Sequence, residues 1–170
     1  MNNVAIKQDE LDDLLKRNSS IAEVRPGYGL TESTAAVCLS PSKRYREGNI
    51  GLPFPDTYFK IVKIGTHDEC EYGEEGEICV NGPTVMMGYL NNQEETDNVL
   101  KKHKDGKIWL HTGDLGYIDP DGFLFVQGRM KRLLMTVING AVYKIAPSKV
   151  EEVINEHPAV LEACVIRFKD

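Results

Sequence analysis

The sequence predicts an α+β fold: a strand-rich stretch, then a smaller unit of strand, strand, helix and strand. Three observations carry this. From Asn49 to Val126, runs of aromatic and β-branched residues alternate with polar turn clusters, the pattern of short strands. Past Gly128, Asn139-Gly140 separates two apolar runs, the strongest short-range hairpin signal. Val150, Val153 and Ile154 then recur at helical spacing behind Pro147, which a first helical turn tolerates.

Taken in order, residues 8–17 place Leu11, Leu14 and Leu15 on one face, with acids early and Lys16 and Arg17 late. This is a short amphipathic helix whose charges complement its dipole. Ile21 to Val24 is a brief strand. Arg25-Pro26-Gly27-Tyr28-Gly29-Leu30-Thr31-Glu32-Ser33-Thr34 is expected as a loop whose glycines allow close backbone approach to a ligand. An ordinary strand-to-helix connection accounts for the same residues. Ala35 to Leu39 is apolar and buried in either secondary structure, and Pro41 to Gly48 is a polar surface loop. Strands are expected at Tyr58 to Ile64, Glu77 to Val80, Lys107 to Leu110, Leu115 to Ile118 and Phe123 to Val126. Asn92 to Lys101 is expected as a helix, with Glu94 and Glu95 early and Lys101 and Lys102 late. Leu133 to Ile138 and Ala141 to Ile145 flank the hairpin turn, and Leu161 to Phe168 alternates as a last strand.

Composition narrows the function classes. At 170 residues the chain can bury a real core, and 20 basic against 26 acidic residues leave a net charge of −6. No basic stripe with interleaved aromatics argues for nucleic acid. No apolar run reaches membrane-spanning length, and Met1-Asn2-Asn3-Val4 does not open a signal peptide. Cys38, Cys70, Cys79 and Cys164 form no Cys-x-x-Cys pair and lie in or beside apolar runs. They read as buried reduced thiols of a cytoplasmic protein. His67, His103, His111 and His157 show no ligand spacing, which argues against a metal held wholly by this chain.

The stretch from His111 to Pro147 organises the chemistry. Asp114 follows a glycine at a strand end, and Arg129 comes one short hairpin later. A carboxylate accepts two hydrogen bonds from a diol, and a guanidinium offers a fixed fork of donors with positive charge. The pair suits the ribose and phosphate of a nucleotide, though loop capping or a surface ion pair uses the same residues.

These blocks together resemble the acyl-adenylate-forming (AMP-binding) superfamily of acyl- and aryl-CoA ligases, luciferases and peptide-synthetase adenylation domains. The matching segments, in order, are Gly27-Tyr28-Gly29-Leu30-Thr31-Glu32, Gly76 to Gly82, His111-Thr112-Gly113-Asp114, Gly128-Arg129-Met130-Lys131 and Ala146 to Glu151. Met87 to Asn92 fits the link between the second and third. Leu30 and Leu110-His111 stand where peptide-synthetase domains carry Pro and Tyr-Arg, so the wording favours CoA ligases. Two departures stand inside the match: a longer hairpin over Val137 to Val142, and Met135 where several aryl-CoA ligases carry Lys.

The resemblance implies residues 1–128 as the end of the large domain, with a distorted β-barrel piece, and 129–170 as the start of the small mobile domain. It implies activation of a carboxylic acid with ATP and Mg²⁺ to an acyl-AMP, then thioester formation with CoA. Tyr28 and Gly29 would line the adenine and acyl pocket, Thr31 would donate to the α-phosphate, and Glu32 would help hold Mg²⁺. Asp114 would take the ribose hydroxyls, Arg129 the ribose or phosphate, and Lys131 would act as the hinge. The family's phosphate-gripping loop would precede Gly27 and its catalytic lysine would follow Asp170, so the expectation is a fragment that is inactive alone. An amino-acid adenylation domain and a non-catalytic nucleotide-binding or structural module are the alternatives. Open strand edges at Tyr58 to Ile64 and Leu161 to Phe168 lead to the expectation of a homo-oligomer.

Overall fold

A computed structural model describes residues 13, 17, 25–44, 46–138 and 141–166. The expected strand at 21–24, the hairpin turn at 139–140 and, apart from Asp13 and Arg17, the helix at 8–17 lie outside the described residues. Two open sheets and a small hairpin unit make up the remainder.

The first sheet has three strands: β1 (Gly27–Gly29), β2 (Ala36–Leu39) and β3 (Leu52–Pro53), all antiparallel. Between β1 and β2 the chain makes one 3-10 turn, Thr31–Ser33, and Thr34 adopts φ 68 to close it. The Ser33 hydroxyl is buried there, 2.9 Å from the carbonyl oxygens of both Leu30 and Ala35, either of which can accept its proton. Gly29 is required by the pairing itself. A Cβ at that position would lie 2.0 Å from the Ala35 carbonyl oxygen and 2.5 Å from Ala36 Cα. Backbone cannot step aside there as a flexible side chain would. Gly29→Ala is therefore expected to destabilise the chain by about 1–3 kcal/mol, read as a lower urea midpoint. An unchanged midpoint would contradict the close approach.

The second sheet carries β4 (Tyr58–Val62), β5 (Gly76–Asn81), β6 (Leu100–Lys102), β7 (Ile108–Ile118) and β8 (Leu124–Arg129). β5 lies between β4 and β7. The far edge of β7 is shared: β6 pairs with its first part and β8 with its last. A single bridge between Gly51 and Leu124 joins the two sheets along an edge. The β3 strand is only two residues long, and the described strands form no closed barrel. The barrel expectation is corrected to two linked open sheets.

Period-two alternation sorts the core. Ile61, Ile78, Val80, Leu110 and Leu124 face the first sheet and pack with Tyr28, Val37 and Cys38. On the opposite face Val62, Cys79 and Trp109 form a second, smaller cluster. Burial on both faces explains why β5 reads as a continuous apolar run rather than an alternating one.

Several expectations shift. The helix α1 spans Gln93–Val99, with the Asn92 side chain accepting from Glu95 N at 3.1 Å. It stops before Leu100 because Leu100, Lys101 and Lys102 pair with Leu110, Trp109 and Ile108. Sheet pairing overrides the local helical pattern there. The two expected strands at 107–110 and 115–118 are one strand, β7. It continues through His111 to Asp114 because two extra residues are taken up opposite β5, where Glu77 pairs with Leu115 and Cys79 with His111. Gly113, at φ +70, supplies the backbone conformation of that bulge.

Past β8 a second 3-10 turn, Met130–Arg132, leads to the antiparallel hairpin β9 (Leu134–Ile138) and β10 (Ala141–Ile145). The helix α2, Pro147–Asn155, follows with Pro147 at its first turn. Three polar contacts tie this unit together and to the rest: Ser148 Oγ to Gln127 O at 2.8 Å, Lys149 to Glu75 at 2.9 Å and Arg132 to Glu151 at 2.6 Å. Residues 161–166 form no strand, against the expectation of one from Leu161, and the remaining residues 167 and 168 lie outside the described residues. The edge at β4 remains, with Tyr58 exposed. Cys38 and Cys79 are buried as expected, but Cys164 is exposed and Cys70 only partly covered. No helix among the described residues is long and apolar enough to cross a membrane.

Candidate functional site

The bulge in β7 places Asp114 where three elements meet. The carboxyl is 2% exposed as a residue, yet it belongs to a strand whose partner residue across β8 is Arg129. Tyr28, from β1, donates its hydroxyl to Asp114 Oδ2 at 2.7 Å. Arg129 Nε lies 3.1 Å from Oδ1, within ion-pair distance, but Oδ1 takes part in no hydrogen bond among the described residues. A buried carboxylate oxygen without a donor is costly. It is also an acceptor still able to receive a ligand's hydroxyl. The Arg129 side chain is largely exposed, so its remaining donors reach solvent.

The electrostatics follow from burial. Burial raises the Asp114 carboxyl above its ordinary value, and the Tyr28 hydrogen bond and Arg129 charge pull it back only in part. Tyr28 is raised well above its ordinary value by burial first and by the Asp114 charge second, so it stays a donor. Thr112 adds rigidity: its hydroxyl donates to Ile78 O at 2.8 Å and accepts from Asp114 N at 3.1 Å.

The other expected site residues lie on the first-sheet side. Tyr28 is buried, with its hydroxyl committed to Asp114, and Gly29 is committed to strand pairing. Thr31 and Glu32 sit on the 3-10 turn, Thr31 exposed and Glu32 partly covered. Glu32 Oε1 accepts from the Tyr89 hydroxyl at 2.6 Å, while Oε2 has no hydrogen-bond donor among the described residues. That hydrogen bond, more than burial, pushes the Tyr89 phenol up to about 12. A carboxylate held at one oxygen and open at the other fits a Mg²⁺ ligand. Lys131 is exposed on the turn between β8 and β9. Tyr28, Asp114 and Arg129 are thus brought into contact. Thr31 and Glu32 are adjacent to each other on the 3-10 turn, and the Glu32 charge acts on the Asp114 carboxyl.

Sequence reading missed Tyr89 as the residue holding Glu32, although it lies in the Met87 to Asn92 segment. It also set aside the histidines. The fold brings His67, His103 and His111 together, with one ring nitrogen of each within 4.8 Å of the others. Their positions in the chain share no ligand spacing, so only tertiary contact reveals the cluster.

A family model described as AMP-binding enzyme matches residues 5–90. The chain belongs to the AMP-binding enzyme family. Over 158 residues it is 38% identical to a probable 4-coumarate–CoA ligase 1 of Dictyostelium discoideum, covering 92% of this chain and 27% of that protein. An O-succinylbenzoate coenzyme A synthetase from Bacillus subtilis in complex with AMP superposes with a TM-score of 0.75 at 33% identity. That match covers 96% of this chain and 32% of the synthetase. The same synthetase in complex with ATP and magnesium gives a TM-score of 0.74 at 31% identity, over 96% of this chain and 38% of the other. Among AMP-binding enzymes this chain resembles the acyl-CoA ligase type, and it spans about a quarter to two fifths of the length of these relatives.

Proposed function

We propose that this chain contributes part of the adenylate site of an AMP-forming acid–CoA ligase, in which acid and ATP give acyl-AMP and CoA then displaces AMP. The observation that carries the reading is the Tyr28–Asp114–Arg129 cluster, with one buried Asp114 oxygen lacking a donor. Asp114 accepts from the ribose hydroxyls, with Tyr28 fixing the carboxylate in place. Arg129, pairing with the near side of the same carboxylate, directs its free donors toward the ribose or phosphate. Thr31 donates to the α-phosphate. Glu32 offers its free oxygen to Mg²⁺, which when bound withdraws charge from the phosphate oxygens as it builds.

The structural relatives with AMP, ATP and magnesium support this reading, and so does the CoA-ligase wording of the sequence. The unit boundary is proposed after Gly128, with residues 1–128 in the large domain and 129–170 in the small one. Lys131, exposed on the short turn that follows, is the hinge candidate. A turn between two folded units is where backbone angles can change between two half-reactions.

The test is pyrophosphate exchange by the whole protein that carries this chain, offered fatty, aromatic and amino acids in turn. Exchange with a fatty or aromatic acid, followed by CoA-dependent release of AMP, is the expected result. Exchange with amino acids alone would replace this reading with carrier-protein adenylation.

A further inference from the structure

On the face of the second sheet that points away from Tyr28, three histidines converge from three segments. His67 lies in the turn after β4, His103 in the loop between β6 and β7, and His111 on β7 itself. We propose that His67, His103 and His111 form a binding site for one divalent transition-metal ion of the zinc class. Nothing in the adenylate chemistry proposed above uses this face, and the two readings stand or fall separately.

The geometry is that of a ligand set with its outer support in place. His111 Nδ1 is 2.8 Å from Glu77 Oε2, and Glu77 Oε1 accepts in turn from Gly113 N at 3.1 Å. A carboxylate on one imidazole nitrogen fixes the ring and its tautomer, leaving the other nitrogen for a metal. That other nitrogen, His111 Nε2, lies 2.9 Å from His103 Nε2. The His67 ring stacks on that of His103, with centroids 4.4 Å apart. Modest ring rotation opens the space between them for a metal with nitrogen bonds of about 2.0–2.1 Å.

Hydrogen bonding within the protein leaves one buried nitrogen of this cluster unused. His103 is 5% exposed, and its Nδ1 has no partner among the described residues. A buried ring nitrogen left without a partner is unusual, and metal binding with a reoriented ring gives it one use. Charge is compatible as well. The Lys60 ammonium nearby is itself paired with Glu69 at 2.9 Å and Asp105 at 3.1 Å. On the other side Glu77 supplies negative charge.

Three imidazoles select a borderline ion such as Zn²⁺, Co²⁺, Ni²⁺ or Cu²⁺ over Mg²⁺ or Ca²⁺, which take oxygen ligands. His67 is the most exposed of the three, so the ion enters from its side and keeps a fourth position for water. Bound there, it would cross-link the 63–68 turn, the 103–107 loop and the strand that presents Asp114.

The experiment titrates the purified chain, freed of metal by a chelator, with Co²⁺ and then with Zn²⁺. The expected result is one Co²⁺ per chain with the visible band of tetrahedral coordination, displaced by Zn²⁺, and no response to Mg²⁺. Glu77→Gln is expected to weaken binding by about 10–100-fold, and His67→Ala by more, since it removes a ligand rather than its support. His67→Ala replaces the least buried member and leaves the folded circular-dichroism spectrum unchanged. His157→Ala, outside the cluster, should bind like the parent. Absence of stoichiometric binding at micromolar Co²⁺ and Zn²⁺, or binding that survives His67→Ala unchanged, would overturn the proposal.

Discussion

Phe123→Ala is expected to lower the unfolding free energy by about 3–5 kcal/mol, measured by urea denaturation at neutral pH. Phe123 is fully buried, and it sits at the corner where β7 turns into β8. The turn is fixed from within: Asp119 Oδ1 accepts from Asp121 N at 3.0 Å and from Phe123 N at 2.9 Å. It is also fixed from outside. Arg46 reaches from the 41–48 loop to Asp119 at 2.5 Å and to Asp121, and its guanidinium lies 5.1 Å from the Phe123 ring centroid. Removing the ring empties a site that the backbone bonds and ion pairs hold open, so little collapse can offset the loss. Arg46→Ala is the comparison: its side chain is 44% exposed, and loss of its ion pairs should cost only about 1 kcal/mol. The β7–β8 register that sets Arg129 opposite Asp114 depends on this turn, so AMP binding should fall with stability in Phe123→Ala. A loss no larger than that of Arg46→Ala would refute the assigned role of the ring.

Asp114→Asn is expected to separate binding from stability. AMP affinity, measured by calorimetry on the purified chain, should fall about 10–100-fold, the cost of losing a charged acceptor. Stability at neutral pH should stay the same or rise. The sign comes from the proton balance. Burial raises the Asp114 carboxyl in the folded chain, which therefore holds this proton more tightly than the unfolded chain does. Its contribution to stability is present below the unfolded pKa and is lost as pH rises through the folded one. Asn cannot ionise, yet it can still accept from Tyr28, so the variant escapes that loss. Urea midpoints across the acid range should show the parent losing ground to the variant as pH rises toward neutral. A variant clearly less stable than the parent at neutral pH, or one that binds AMP equally well, would contradict the assignment.

What the sequence determined by itself was largely local. The two apolar runs that pair as β9 and β10, Pro147 before a helical stripe, and Asp119 to Gly122 at a turn each encode structure through residues a few positions apart. The family blocks were also legible, because each is a short contiguous run, and they carried Asp114 and Arg129 as a pair. Tertiary structure decided what depends on distant partners. Leu100 to Lys102 became strand rather than helix because β7 offered a pairing edge, and β7 became one strand because a two-residue bulge let it run through His111 to Asp114. The hydroxyl by which Tyr28 holds Asp114 is another such contact, made across 86 positions of sequence. The histidine cluster is the clearest case. Neither spacing nor composition marks His67, His103 and His111 as neighbours, since the turn after β4, the loop after β6 and β7 itself each deliver one of them, and only the sheet's pairing order brings the three together.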